Sequence, residues 1–204
     1  MGSVPQVRFG DYLAKCNGLH ELGFQRWVFR TGMLFGATAK WWGRGGDRER
    51  RHEGLDLWLY SGRAGQVHNL DERTEIPAMF DGEVVKIERD FLGQSVFLKH
   101  SVTDGKDKVL CTVYGHVRLL DGVREGAMLR DREVFATIAA GGASRSRVPP
   151  PHLHISAAWV SESFSLGRLN WSVMNDGDIV RLLDPLGFLG EDFEVVDWVP
   201  EVTR

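Results

Sequence analysis

Val109-Leu110-Cys111-Thr112-Val113-Tyr114-Gly115-His116 is the run on which the fold assignment turns. Its residues alternate in character, the period-two pattern of a strand with two different faces. Strict alternation puts Tyr114 and His116 on one face and Cys111 and Val113 on the other. Further short runs of β type flank it: Leu55–Tyr60, Val84–Ile87, Ser95–His100, Glu133–Ala139 and His152–Val160. Turn residues separate them, as in Asp81-Gly82 and Asp104-Gly105. Glycine supplies 24 of the 204 residues, well above the ~7% of ordinary chains, which also points to many turns. The expectation is an all-β fold. It has an antiparallel sheet or sandwich core with a groove holding a site, and short helices and loops in its N-terminal and C-terminal extensions.

The chain divides into an N-terminal extension over 1–34, with a short helix near Asp11–Leu22, a β-domain core over 35–160, and a C-terminal extension over 161–204. The last is too short for a core of its own, and its apolar content makes it pack on the domain. Gly43 to Arg51 mixes arginines with Asp47 and Glu49, the composition of a solvated loop. A formal net charge of −3 argues against a dedicated nucleic-acid binder and against a polybasic membrane binder. No run reaches the ~18 apolar residues of a membrane helix. With no export signal in this sequence, the expected compartment is the cytoplasm, or the bacterial periplasm or exterior if the chain is a clipped piece. A monomer is the favoured state. Cys16 and Cys111 are too few for a disulfide scaffold, and one bridge or two free thiols both stay open.

Four of the seven histidines fall in three compact clusters. The first is His52-Glu53-Gly54-Leu55-Asp56, whose His and Asp are four apart and reach the same side of a strand. The second is Tyr114-Gly115-His116. The third is His152-Leu153-His154, in which a strand turns both imidazoles to one face and Leu153 to the core. A catalytic zinc takes three protein ligands from His and carboxylates and keeps one position open. One carboxylate with two neutral imidazoles leaves a formal charge of +1, which lowers the pKa of a bound water toward ~7. Histidines beside the open position take up its proton or bind the developing oxyanion. Each motif alone is weak evidence; the three together in a β-rich chain are strong.

The order His52-x-Gly54-x-Asp56, Tyr114-x-His116, His152-x-His154 resembles the lysostaphin-type, or LytM-like, zinc metallopeptidases. Phe35-Gly36, the stretch from Pro77-Ala78 to Asp81-Gly82-Glu83-Val84-Val85, Val123 to Ile138, and Asp184-Pro185 resemble further landmarks of that family, so the likeness runs from Phe35 to Leu189. It implies a zinc ion held by His52, Asp56 and His154. It also implies that His116 and His152 line the site as general base and transition-state stabiliser, in an order the sequence leaves open. The implied reaction is attack of a zinc-bound water on a peptide bond, in a peptide or peptidoglycan stem or cross-bridge substrate. Tyr114 is a further candidate, its hydroxyl a substrate contact or a packing element.

The chain departs from that pattern in the long loop Gly141 to Pro151, with Arg145 and Arg147 beside the expected cleft, and in an insertion over Ser161–Asp178. The competing reading is a non-catalytic relative that binds a partner or activates an amidase, but such relatives generally lose ligands that this chain keeps. A phosphocarrier domain with facing histidines would leave the His52/Asp56 pair unexplained. His20, His68 and His100 lie outside the motifs and are expected at surface or satisfied positions. Alternation points Glu53 away from His52 and Asp56. If residues 1–51 mask the site, Asn17 and His20 are nominal masking ligands.

Overall fold

Period-two runs become strands wherever one face can be buried, and turn residues break them. The computed structural model describes residues 6–140, 148–190 and 192–197. Helix α1 (Phe9–Cys16) is followed by strands β1 (Arg26–Arg30), β2 (Leu55–Leu57), β3 (Leu59–Ser61), β4 (Val67–Asn69), β5 (Glu75–Pro77), β6 (Gly82–Arg89) and β7 (Gln94–Thr103). Then come β8 (Lys108–Leu119), β9 (Met128–Leu129), β10 (Val134–Ile138), β11 (Leu153–Ser161), β12 (Val180–Leu183) and β13 (Phe193–Val196). The Gly141–Arg147 stretch with Arg145 and Arg147 lies outside the described residues. Among the described residues, no helix is long and apolar enough to cross a membrane.

The all-β expectation holds. A nine-stranded sheet carries the order β12-β11-β8-β7-β6-β9, with β2, β5 and β10 joined to its sides, and a four-stranded sheet has the order β13-β1-β3-β4. Pairing is antiparallel except between β1 and β13, which run parallel. The run Leu55–Tyr60 is two strands, not one. β2 joins β11 in the large sheet and β3 joins β1 and β4 in the small one, so the chain changes sheets at Trp58. The helix expected as far as Leu22 ends at Cys16, because Gly18 adopts φ 63°, a left-handed turn that helical residues cannot continue.

The main core takes Phe9, Leu13, Trp27, Phe29 and Met33 together with Leu55, Tyr114, Phe135 and Ile155. Packing therefore crosses the 34/35 boundary, with side chains of α1 and β1 buried against those of the β-domain. On the opposite face of the large sheet, Phe97, Cys111, Val113, Ala158 and Val160 pack against Leu169 and Met174 of the inserted segment. Cys16 and Cys111 are both free thiols.

Strand β8 does not keep its alternation to the end. Cys111 and Val113 face the second core, Tyr114 faces the main core, and Val117 faces the main core again. The phase slips because His116 sits at φ 63° and the β7–β8 register shifts between Gln94 and Val96. One extra residue in the bulge re-aims every side chain after it. A left-handed conformation costs a non-glycine residue roughly 1–2 kcal/mol, so other contacts must hold it.

Candidate metal centre

Register brings the first two donors together. On β2 and β11, His154 lies opposite Asp56, and Leu55, Leu57, Leu153 and Ile155 turn into the main core. Asp56 and His154 therefore share the other face. His52 precedes β2 and is placed by its backbone, which donates to Ala37 and accepts from Gly36. Gly54 lets this turn press against β11: a Cβ there would meet the Ile155 carbonyl and lie 2.6 Å from His154 Nε2.

His52 Nε2, Asp56 Oδ1 and His154 Nδ1 converge. They lie 3.1 Å apart for His52–Asp56, 3.2 Å for His52–His154 and 2.9 Å for His154–Asp56. Ligand bonds of about 2.0–2.1 Å in a tetrahedral zinc site put donor atoms roughly 3.3 Å apart, close to this spacing. The tautomer fits as well. His52 Nδ1 donates to the Leu34 carbonyl at 3.0 Å, which leaves Nε2 as a bare lone pair. His154 Nε2 is engaged by Ser156 Oγ at 3.0 Å, which leaves Nδ1 for the centre. All three side chains are buried, and the three residues form a group that could hold a metal ion.

The other oxygen of Asp56 is held from behind. Trp41 Nε1 donates to Oδ2 at 2.6 Å and Arg48 lies 3.4 Å from it. Burial opposes ionisation of Asp56, but the surrounding His52, His152 and His154 hold its carboxyl well below the usual carboxylate range. Arg48 also stacks 4.7 Å over Trp42. The Gly43–Arg51 segment is thus not simply a solvated loop; an arginine from it is drawn onto a buried carboxylate.

Two more imidazoles stand beside the donor set. His152 Nδ1 donates to the Pro150 carbonyl at 2.8 Å, and its Nε2 lies 3.5 Å from Asp56 Oδ1. His116 reaches the same face only through the bulge, with its ring 4.8 Å from that of His152. Burial pushes the His116 imidazole down to about 4, against the opposing pull of the Asp90 carboxylate. At neutral pH it is therefore an uncharged ring with one free lone pair. These five side chains, with Trp42, Glu53, Phe91 and Trp171, line a cavity of about 340 Å³.

Several expectations are corrected. Tyr114 does not share a face with His116. It is fully buried, its hydroxyl accepts from the Met79 N–H at 2.7 Å, and it packs on Phe9 and Phe135. Its part is in the core, and no substrate contact is open to it. Glu53 does line the cavity, since it sits in a turn ahead of β2 where alternation does not apply. Asn17 bonds the backbone of Glu75, His20 lies 3.6 Å from Asp11, and neither lines the cavity. Removing residues 1–30 would strip Phe9, Leu13, Trp27 and Phe29 from the core. His100 is satisfied by the Asp81 carbonyl and Thr112, and His68 stacks on Tyr60. Sequence reasoning missed Trp41, Arg48, Asp90, Phe91 and Trp171. They have no shared spacing and meet only through the fold.

A β-sheet protein with a His–Asp–His donor set at the floor of a cleft, flanked by two further histidines, belongs among candidate metal-dependent hydrolases. Residues 61–165 match Peptidase family M23, and the chain belongs to that family. The match covers His116, His152 and His154; His52 and Asp56 lie just upstream of it. The chain is similar to the catalytic domain of the antimicrobial peptidase lysostaphin from Staphylococcus simulans, at 18% identity and a TM-score of 0.42, over 79% of this chain and 92% of that one. It is also similar to the catalytic domain of a mutant of the prophage-encoded M23 protein EnpA from Enterococcus faecalis. There the identity is 20% and the TM-score 0.37, over 68% of this chain and 92% of that one. Comparison with curated proteins finds no match.

Proposed function

We propose that this chain is a zinc-dependent endopeptidase that hydrolyses peptide bonds in peptidoglycan stem or cross-bridge peptides, with its peptidase core over 35–160. The observation that carries the reading is the convergence of His52 Nε2, Asp56 Oδ1 and His154 Nδ1 beside two histidines that are not part of the donor set. Zinc held by those three residues supplies a Lewis acid and lowers the pKa of water. The protein's own part is orientation and proton handling. His116, kept neutral by burial, takes up a proton from the attacking water. His152, fixed by donating Nδ1–H to the Pro150 carbonyl, stabilises the charge that develops on the substrate oxygen as an imidazolium, with Nε2–H as the donor. Trp42, Phe91 and Trp171 wall the cleft with flat apolar surfaces, which suits an extended peptide.

The deciding experiment is digestion of purified peptidoglycan, with a pentaglycine peptide alongside, by the zinc-loaded protein, read by mass spectrometry. New peptide termini are expected, and none from the His154→Ala control. Intact substrates with zinc bound would overturn the peptidase reading in favour of a partner-binding or amidase-activating relative. A second prediction concerns Trp41. Trp41→Phe keeps the ring and removes the N–H that holds Asp56, so zinc affinity should fall about 10- to 100-fold in a chelator competition. Unchanged affinity would take Trp41 out of the support of Asp56.

A further inference from the structure

Asp90 lies in the turn between β6 and β7, far in sequence from every histidine motif, and its side chain is only 4% exposed. Its Oδ1 accepts from the N–H groups of Leu92 and Gly93 at 2.9 and 2.7 Å. Its Oδ2 accepts from Ser95 Oγ at 2.7 Å and from the His116 N–H at 2.8 Å, and lies 3.2 Å from His116 Nδ1. The direction of this line is forced from its far end. The Trp171 indole is a donor only, so Ser95 Oγ accepts from it at 3.0 Å and turns its own hydrogen to Asp90. Asp90 is thereby an acceptor on every side, and an ionised carboxylate meets that demand. Burial alone would push it up, but the bonds from His116 and Ser95 hold the carboxyl well below the usual range.

Two things about His116 need a cause. Its backbone is left-handed, and its Nδ1 is buried with no hydrogen-bond partner among the described residues, although Asp90 Oδ2 lies only 3.2 Å away. One oxygen of Asp90 answers both. We propose that Asp90 is a positioning residue that grips the main-chain N–H and the Nδ1–H of His116 together, so that Nε2 is the bare nitrogen presented to the cleft. The inserted segment takes part, because Trp171 orders Ser95 while its ring packs 5.1 Å from that of His154. This inference rests on the reading of His116 as the proton acceptor, so its first test does not use activity.

The test is the ring tautomer of His116 in zinc-loaded, nitrogen-15-labelled protein, by long-range proton–nitrogen spectra, with the signal identified by its loss in His116→Ala. Wild type is expected with Nδ1 protonated and Nε2 bare. In Asp90→Asn that preference should disappear, because one amide oxygen cannot accept at both carboxylate positions. On a cleaved peptide, Asp90→Asn should lower kcat about 10- to 100-fold, leave KM within about two-fold and retain zinc. It should cost nothing further in a His116→Ala background. A wild-type ring protonated on Nε2 would overturn the proposal, as would an equal loss in the His116→Ala background. Should Asp90→Asn fail to fold, Ser95→Ala removes one donor to the same oxygen. A shifted tautomer there supports the proposal and an unchanged one overturns it. If wild type cleaves nothing, the peptidase reading fails and the tautomer still decides the role of Asp90.

Discussion

Replacing His154 by alanine is expected to empty the metal site and abolish cleavage. Three donors converge, and His154 Nδ1 lies within 3.2 Å of both others. A catalytic zinc site works with three protein ligands and one open position; with two it loses its hold. Elemental analysis should read about one zinc per wild-type chain and almost none in His154→Ala after dialysis against a mild chelator. Peptide cleavage should fall to background. The strand should survive, since Leu153 and Ile155 keep their places in the main core, so a folded, metal-free protein is the expected product. Full zinc occupancy in that variant would sink the ligand assignment.

His116→Ala should do the opposite to the metal and nearly the same to the chemistry. Its ring stands beside the donor set without being part of it, so zinc should remain at the wild-type level. Removing a positioned general base costs typically 10²–10⁴ in rate, so kcat should drop by about that factor. Alanine at φ 63° is no easier than histidine, and Asp90 still accepts its N–H. The loss should therefore report the ring and not a collapsed bulge. Undiminished turnover would remove His116 from the reaction. A wild-type metal content with full loss of turnover would separate the roles of His116 and His154 in a single pair of proteins.

Stability should follow the same groups in acid. The Asp90 carboxyl titrates lower in the folded protein than in the unfolded chain. The stability it contributes is thus present above the unfolded value of about 3.9 and is lost as pH falls through the folded value.

The sequence by itself determined the β-rich class and the paired faces of His152 and His154. Both depend on short-range parity, and parity on an unbroken strand is a property of the local backbone. The grouping of His52 and Asp56 with His154 was implied by the family resemblance alone, and the β2–β11 register is what brings these donors together in the fold. The sequence did not determine which side of β8 His116 occupies. Alternation joined His116 to Tyr114, and a single left-handed residue parted them, leaving Tyr114 in the main core and turning His116 to the metal face. Nothing in the run Val109–His116 announces the bulge, because Asp90, which holds it, comes from another turn 26 residues away. The same holds for Trp41 and Arg48 behind Asp56 and for Trp171 beside His154. Ligands repeat along a strand with its period, whereas the groups that orient them are whatever the tertiary structure packs alongside. No period links those groups, so only the folded chain could name them.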